Sequence, residues 1–286
     1  MSRRRRISVA LLGLVAIVGG TALAQQWPSG GRGSGRGRFY EPGVLPGDRA
    51  GVPDWEVDER FPKDVFTFVR VQYDSYGGRG RWGGGWATDW PDSDLNFPYR
   101  LQQLTSLKVS PDSIVLRLTD EELFDHPFLY MIEPGALIFS EEEVAALRRY
   151  LLNGGFLMVD DFWGEAEYQN FYQQIKRVFP EFEPLELPAD HEIFRIVYRL
   201  KEKPQVPSIH SWRRGSDITW ERWDAREPHY KGIFDAKGRM MVIICHNTDL
   251  GDGWEREGED PDYFREFSEK RSYPMGINIV TYAMTH

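Results

Sequence analysis

The segment from Ser140 to Asp161 constrains the fold more than any other part of the chain. Ser140 followed by Glu143 is a capping box, and acids fill the turn between them. Val144, Leu147, Tyr150 and Leu151 then recur on one helical face, and Gly154-Gly155 ends the helix. Immediately after comes Phe156-Leu157-Met158-Val159, a short and continuously apolar run. A strand apolar on both faces is buried on both faces, which is the condition of a parallel sheet covered by helices. Parallel neighbours in turn need helical crossovers, so this one helix–strand step predicts an α/β protein.

The rest of the chain agrees up to Pro180. Strands are predicted over 65–73, 113–118 and 128–132, and helices over 97–107 and 165–179. Beyond Pro180 the pattern loosens, until a strand over 239–246 and a helix over 274–284 are expected to close the sheet. No internal repeat is visible.

Arg3 to Arg6, the apolar run Ile7 to Ala24 and the small-residue site Ala22-Leu23-Ala24 read as a secretory signal peptide over 1–24. An uncleaved membrane anchor is the alternative. Residues 25–60 read as a Gly/Arg/Pro-rich flexible linker, and 61–286 as a single domain. The expected location is periplasmic or secreted, with no stable membrane span once the signal is removed. The formal net charge is −9; the signal carries four arginines and no acid, so the remainder stands at −13. That balance argues against nucleic acid as a partner, because phosphate binding needs a basic face. Cys245 is the one cysteine, so no intramolecular disulfide holds the fold.

Several ordered motifs resemble a known bacterial family. They include Trp90-Pro91-x-x-Asp94-x-Asn96-Phe97, Gly154-Gly155-Phe156-Leu157-x-x-Asp160-Asp161 and Asp190-His191-x-Ile193-Phe194. Asn247-x-Asp249-Leu250-Gly251-Asp252-Gly253-Trp254 completes the set. The family is the domain of unknown function numbered 4159. The resemblance implies a class I glutamine amidotransferase-like fold, a flavodoxin-like three-layer sandwich with a mostly parallel sheet. It implies no activity. Amidotransferase chemistry needs a cysteine on the turn after the central strand. Here that turn reads Asp160-Asp161-Phe162-Trp163-Gly164, and Cys245 sits inside an apolar strand.

Acids take the place of the missing thiol. Asp160 and Asp161 are expected at the carboxyl edge of the sheet, where open α/β folds bind ligands. Asp74, Trp90, Asp94, Asn247 and Trp254 are candidate ligand-binding residues on the same edge, and Asp249 and Asp252 are candidate ligands for a divalent cation. The chain has ten tryptophans, and Trp82, Trp86 and Trp90 recur every four residues in a Gly/Asp-rich loop. Such aromatics suit a sugar face or a protein interface; they equally suit packing of loops onto a sheet. The leading expectation is a binding module without glutaminase activity, for an envelope glycan or a protein partner. One rival is a carboxylate- or metal-dependent hydrolase using Asp160, Asp161 and His191. The other is a structural envelope component.

Overall fold

The computed structural model describes residues 41–57, 60, 64–76 and 85–286. The signal-peptide reading, the Gly/Arg part of the linker and Trp82 lie outside the described residues. In chain order the strands are β1 (Val69–Gln72), β2 (Asp74–Ser75), β3 (Ile114–Arg117), β4 (Phe128–Ile132), β5 (Leu137–Ile138), β6 (Phe156–Asp160), β7 (Leu185–Glu186), β8 (His229–Phe234) and β9 (Met240–His246). The helices are α1 (Asp92–Leu104), α2 (Glu141–Leu152), α3 (Gly164–Val178), α4 (Leu250–Glu255) and α5 (Pro261–Tyr263). A π-helical stretch, Phe264–Ser272, joins α5 to α6 (Tyr273–Thr285). No described helix is long and apolar enough to cross a membrane.

Seven strands form one mixed sheet in the order β3-β1-β4-β6-β9-β8-β7. The first five are mutually parallel, and β8 runs antiparallel to both β9 and β7. β9 therefore lies inside the sheet, and does not close it as expected. The strands β7 and β8 that extend the sheet come from the stretch where the sequence pattern loosens. Asp235 makes the β8–β9 hairpin local: its Oδ1 accepts from Lys237 N at 2.8 Å and Arg239 N at 3.0 Å.

The pleat divides the core in two. Phe128, Tyr130 and Ile132 of β4, with Phe156 and Met158 of β6, pack with Phe97, Leu101, Leu250, Trp254 and Ile277 from α1, α4 and α6. Leu129, Met131, Leu157 and Val159 point the other way, onto Leu147 and Leu151 of α2 and Phe171 and Ile175 of α3. Such alternation along a strand is what burial on both faces requires. The predicted capping box of α2 is present, with Ser140 N donating to Glu143 Oε2 at 2.8 Å and Glu143 N to Ser140 Oγ at 3.1 Å.

Two local expectations shift. α1 begins at Asp92, five residues before the expected start, and Pro98 lies buried inside it. Ser93 and Asp94 of its first turn are held by Arg70 on the neighbouring strand, a contact 23 and 24 residues away in sequence. Glu41 to Val57, assigned from sequence to the flexible linker, includes residues packed on the domain. Ala50 and Val52 bury against Leu95, and Trp55 Nε1 donates to Val109 O at 2.8 Å.

Candidate functional site

The five parallel strands release their chains at one edge, and a cleft of about 270 Å³ opens there. It lies over the gap between β1 and β4. From β1 the chain returns to β3 on one side, while β4 and β6 continue on the other. Adjacent loops diverge at such a reversal, which is why open α/β sheets place ligand sites there.

Most of the cleft wall comes from the exits of strands, and Ser208, His210, Glu221 and Arg222 from the long segment before β8 complete it. The loop after β1 brings Gly85, Thr88 and Asp89; β4 brings Glu133; β6 brings Asp161 and Trp163; the segment after β9 brings Asp249 and Asp252. Asp89, Glu133 and Asp161 adopt φ values of +62°, +48° and +54°. Left-handed backbone is disfavoured for side chains beyond glycine and, to a lesser degree, Asn and Asp. Three acids in that conformation around one cleft mark a place where the surrounding fold dictates the backbone. For Glu133 the constraint is visible. Tyr73 Oη donates to Ile132 O at 2.7 Å and Glu133 O at 2.6 Å, and Glu133 N donates to Asp160 O at 3.1 Å.

The loop carrying Asp89 is held from below by Arg70, a fully buried arginine on β1. Its Nε reaches both carboxylate oxygens of Asp94 at 3.0 Å, Nη1 donates to Trp86 O and Thr88 O, and Nη2 donates to Ser93 Oγ. Asp94 is thus committed to an internal ion pair and is not available as a ligand residue.

Of the other candidate residues, four meet in one place. Asp160 is fully buried; its Oδ2 accepts from Tyr130 Oη at 3.2 Å and Gly251 N at 3.0 Å. Burial pushes its carboxyl up to about 7, against hydrogen bonds that favour the ionised form. Asp161 accepts from Trp163 Nε1 at 3.0 Å, and burial together with Glu133 and Glu221 holds its carboxyl well above the carboxylate range. Asp249 caps α4 by accepting from Asp252 N at 2.7 Å; burial and then the charge of Asp161 raise its carboxyl. Asp252 accepts from Ile209 N at 2.8 Å and Tyr263 Oη at 2.9 Å.

The remaining candidates are elsewhere or otherwise engaged. His191 caps a short 3-10 turn and packs 5.9 Å from the ring of Tyr282, which itself packs against Phe156 at the opposite end of β6. The structure therefore separates His191 from Asp160 and Asp161 by the length of the sheet. Asp74 lies exposed on β2, facing Arg117 at 3.4 Å, outside the cleft lining. Asn247 spends its amide on Gly164 N and Glu227 O, at 2.9 Å each, holding two loops together. Trp254 has no exposed surface and stacks on Phe97 with centroids 4.2 Å apart. Trp90 is half-buried, and the Arg70 guanidinium lies 6.0 Å from its ring. Packing of loops onto the sheet accounts for both tryptophans.

Sequence reasoning missed Asp89, Glu133, Glu221 and Glu255. Glu133 carried a usable signal, since it directly follows a predicted strand at the ligand-binding edge. Asp89 and Glu255 carried none: Asp89 reaches the cleft from a long loop, and Glu255 stands beside it at the end of a short helix. Burial and the charge of Glu255 raise the Asp89 carboxyl, and burial raises Glu255 to about 7 although Arg256 opposes it. Oxygens of Asp89, Asp252 and Glu255 lie within 4.8 Å of one another.

A larger groove of about 520 Å³ runs between Trp212 and the π-helical stretch. Its charges balance, four acids against four bases, and several are paired, Arg214 with Asp262 and Glu266 with both Lys270 and Arg271. The unbalanced charge is in the smaller cleft.

These features define an α/β protein with a seven-stranded, mostly parallel mixed sheet, flanked by helices, with an acidic cleft at its carboxyl edge. The chain belongs to the family of the domain of unknown function DUF4159, whose model matches residues 67–284. No curated protein matches it.

Proposed function

We propose that the chain is a binding module that takes a positively charged side chain of a protein partner into the carboxyl-edge cleft. The observation that carries this reading is the charge imbalance. Among the described residues the lining holds seven acids, Asp89, Glu133, Asp161, Glu167, Glu221, Asp249 and Asp252, against Arg222 and Arg256. Arg222 already pairs with Glu167, and Arg256 faces Asp252 and Glu255. A lysine or arginine entering the cleft relieves the repulsion among Asp89, Asp161 and Asp249.

The rim supports a protein partner over a glycan. Trp223 is 84% exposed, next in sequence to the cleft-lining Glu221 and Arg222, and Ile218 is also exposed. The loop presenting Trp223 is anchored: Ser208 N donates to Glu221 Oε1 at 2.6 Å, and Glu165 N to Asp224 Oδ2 at 3.1 Å. An exposed tryptophan on a fixed loop beside a charged pocket has the composition of an interface anchor. The tryptophans that would have formed a sugar platform, Trp90 and Trp254, are packed into the protein.

As part of the same proposal, the parallel strands run in the order 2-1-3-4-5 when numbered among themselves, which supports a flavodoxin-like, class I glutamine amidotransferase-like fold. Cys245 is buried within β9, and Asp161 occupies the turn where the amidotransferase thiol would stand, so glutaminase chemistry has no nucleophile here. The signal-peptide reading of residues 1–24 puts the encounter outside the cytoplasm.

The test is fluorescence anisotropy with labelled hexa-arginine and hexa-glutamate peptides in buffer containing a chelator. Saturable binding of the basic peptide is expected, weakened by salt and lost in Trp223→Ala and Glu221→Gln. Equal binding of the two peptides, or no binding of the basic one at millimolar concentration, would overturn the proposal.

One observation favours a second reading. Asp161 sits at φ +54° on a strand-to-helix turn with its side chain in the cleft, the placement used by hydrolytic nucleophiles. Under this reading Asp161 and Glu133 serve a carboxylate hydrolase without His191. Turnover in a panel of chromogenic esters and glycosides, abolished by Asp161→Asn, would support it; a silent wild-type protein would discard it.

A further inference from the structure

Beside the same cleft, whose lining includes Asp89 and Asp252, we infer that Asp89, Asp252 and Glu255 form a binding site for one Ca²⁺ ion. This goes beyond the protein-partner reading and does not depend on it. Each of the three residues offers a carboxylate oxygen, and the three oxygens lie within 4.8 Å of one another.

An acidic cluster alone does not make a metal site, but Asp89 adds an independent observation. Its Oδ2 is buried and meets no N–H or hydroxyl donor among the described residues, and its carboxyl lies within hydrogen-bond reach of the Glu255 carboxyl, a contact between two acceptors that only a shared proton or a cation can satisfy. That oxygen points at the backbone of α4: a Cβ placed on Gly251 would lie 2.5 Å from it and 2.7 Å from Tyr130 Oη. The glycine is what lets the carboxylate come this close to the helix that carries Asp252 and Glu255. A buried carboxylate oxygen without a donor is costly, and it is normally found against a cation or a proton.

Charge and ligand type select the ion. Among the described residues, these three carboxylates and Arg256, which contacts Asp252 and Glu255, leave a formal charge of −2. One divalent cation neutralises it. All three ligands are carboxylates, which suits a hard ion and not a soft one. Three carboxylates on two separate elements suit Ca²⁺, which takes about six to eight oxygens in flexible geometry; Mg²⁺ demands a near-ideal octahedron and is usually held by one or two carboxylates together with substrate phosphates. The three carboxylates leave the remaining coordination positions of Ca²⁺ to water or to a ligand entering the cleft.

The experiment is thermal unfolding and titration calorimetry on chelator-treated full-length protein, without peptide, against Ca²⁺, Mg²⁺ and Mn²⁺. Ca²⁺ is expected to bind with a stoichiometry of one and raise the unfolding temperature by about 5–10 °C at a hundredfold excess over Kd. Asp89→Asn should abolish the shift while leaving the circular dichroism spectrum unchanged. Glu255→Gln should do the same, and it decides the matter if the first variant fails to fold. No shift with Ca²⁺, a larger shift with Mg²⁺, or wild-type Ca²⁺ binding in both variants would overturn the inference. Because the peptide measurement is made in chelator and this one without peptide, the two proposals fail separately.

Discussion

Arg70 donates from Nε to both carboxylate oxygens of Asp94, at 3.0 Å each, and neither side chain is open to solvent. The pair sits on the α1 face of the sheet, directly beneath the loop that carries Asp89. It joins a strand to the first turn of a helix. Arg70 also ties down Trp86 and Thr88 through their carbonyls, so one buried cation sets the height of the cleft floor.

Removing one partner of such a pair leaves an uncompensated charge in the core. Asp94→Ala is expected to lower stability by about 3–5 kcal/mol in urea unfolding at neutral pH. The same variant should lose Ca²⁺ and peptide binding even where it remains folded, because Asp89 is no longer held. A loss below about 1 kcal/mol would mean that Arg70 finds other partners and the floor is not built on this pair.

Asp160 makes stability depend on pH in an unusual direction for a carboxylate. Its folded value, about 7, lies above the ordinary value of an unfolded aspartate. Its contribution is therefore fully present below the unfolded value, near pH 4, and is lost as pH rises through about 7. The loss approaches about 4 kcal/mol by pH 8 if nothing else responds. Asp160→Asn keeps an acceptor for Gly251 N and cannot ionise. Urea midpoints of the variant should exceed wild type at pH 8 and match or fall below it at pH 4. Parallel pH profiles for the two proteins would refute this.

Gly251→Ala tests the close approach. Its Cβ would meet Asp89 Oδ2 at 2.5 Å and Tyr130 Oη at 2.7 Å, so Asp89 must retreat. A destabilisation of about 1–3 kcal/mol is expected, together with loss of the Ca²⁺-dependent thermal shift. Gly47→Ala is the control, since nothing lies within 4 Å of a Cβ there. Should both substitutions leave the shift intact, Asp89 is not set by this contact.

Cys245 is buried in β9, and burial pushes its thiol well above the ordinary value. Ellman's reagent should find no reactive thiol in the native protein and one after denaturation. Rapid modification of the native protein would place the thiol at the surface and reopen thiol chemistry.

Much of the fold was legible because its signals are local. The capping box of Ser140 and Glu143, the stripe on α2 and the unbroken apolar run of β6 each need only a few neighbouring residues to be read. The same run placed Asp160 and Asp161 at the carboxyl edge, since a parallel strand must end where its connecting loop begins. β8 was missed because its alternation, with His229 and Lys231 half-buried between buried Tyr230 and Gly232, belongs to a strand inserted late by a hairpin. α1 was started too late because its first turn is stabilised by Arg70, not by a local cap.

The sequence by itself determined the periodic elements, the mostly parallel sheet, the lack of a reactive thiol on the central turn and the acidity of the edge. These follow from side-chain spacing and composition within short windows. Only the tertiary structure decided that Asp94 serves Arg70, that Trp254 is core, and that His191 lies at the far end of the sheet. It also decided that Asp89, Asp252 and Glu255 meet. Strand order sets which loops are neighbours, and strand order comes from long-range packing of two core faces. A residue's chemistry is written in its type, but its partners are chosen by that packing.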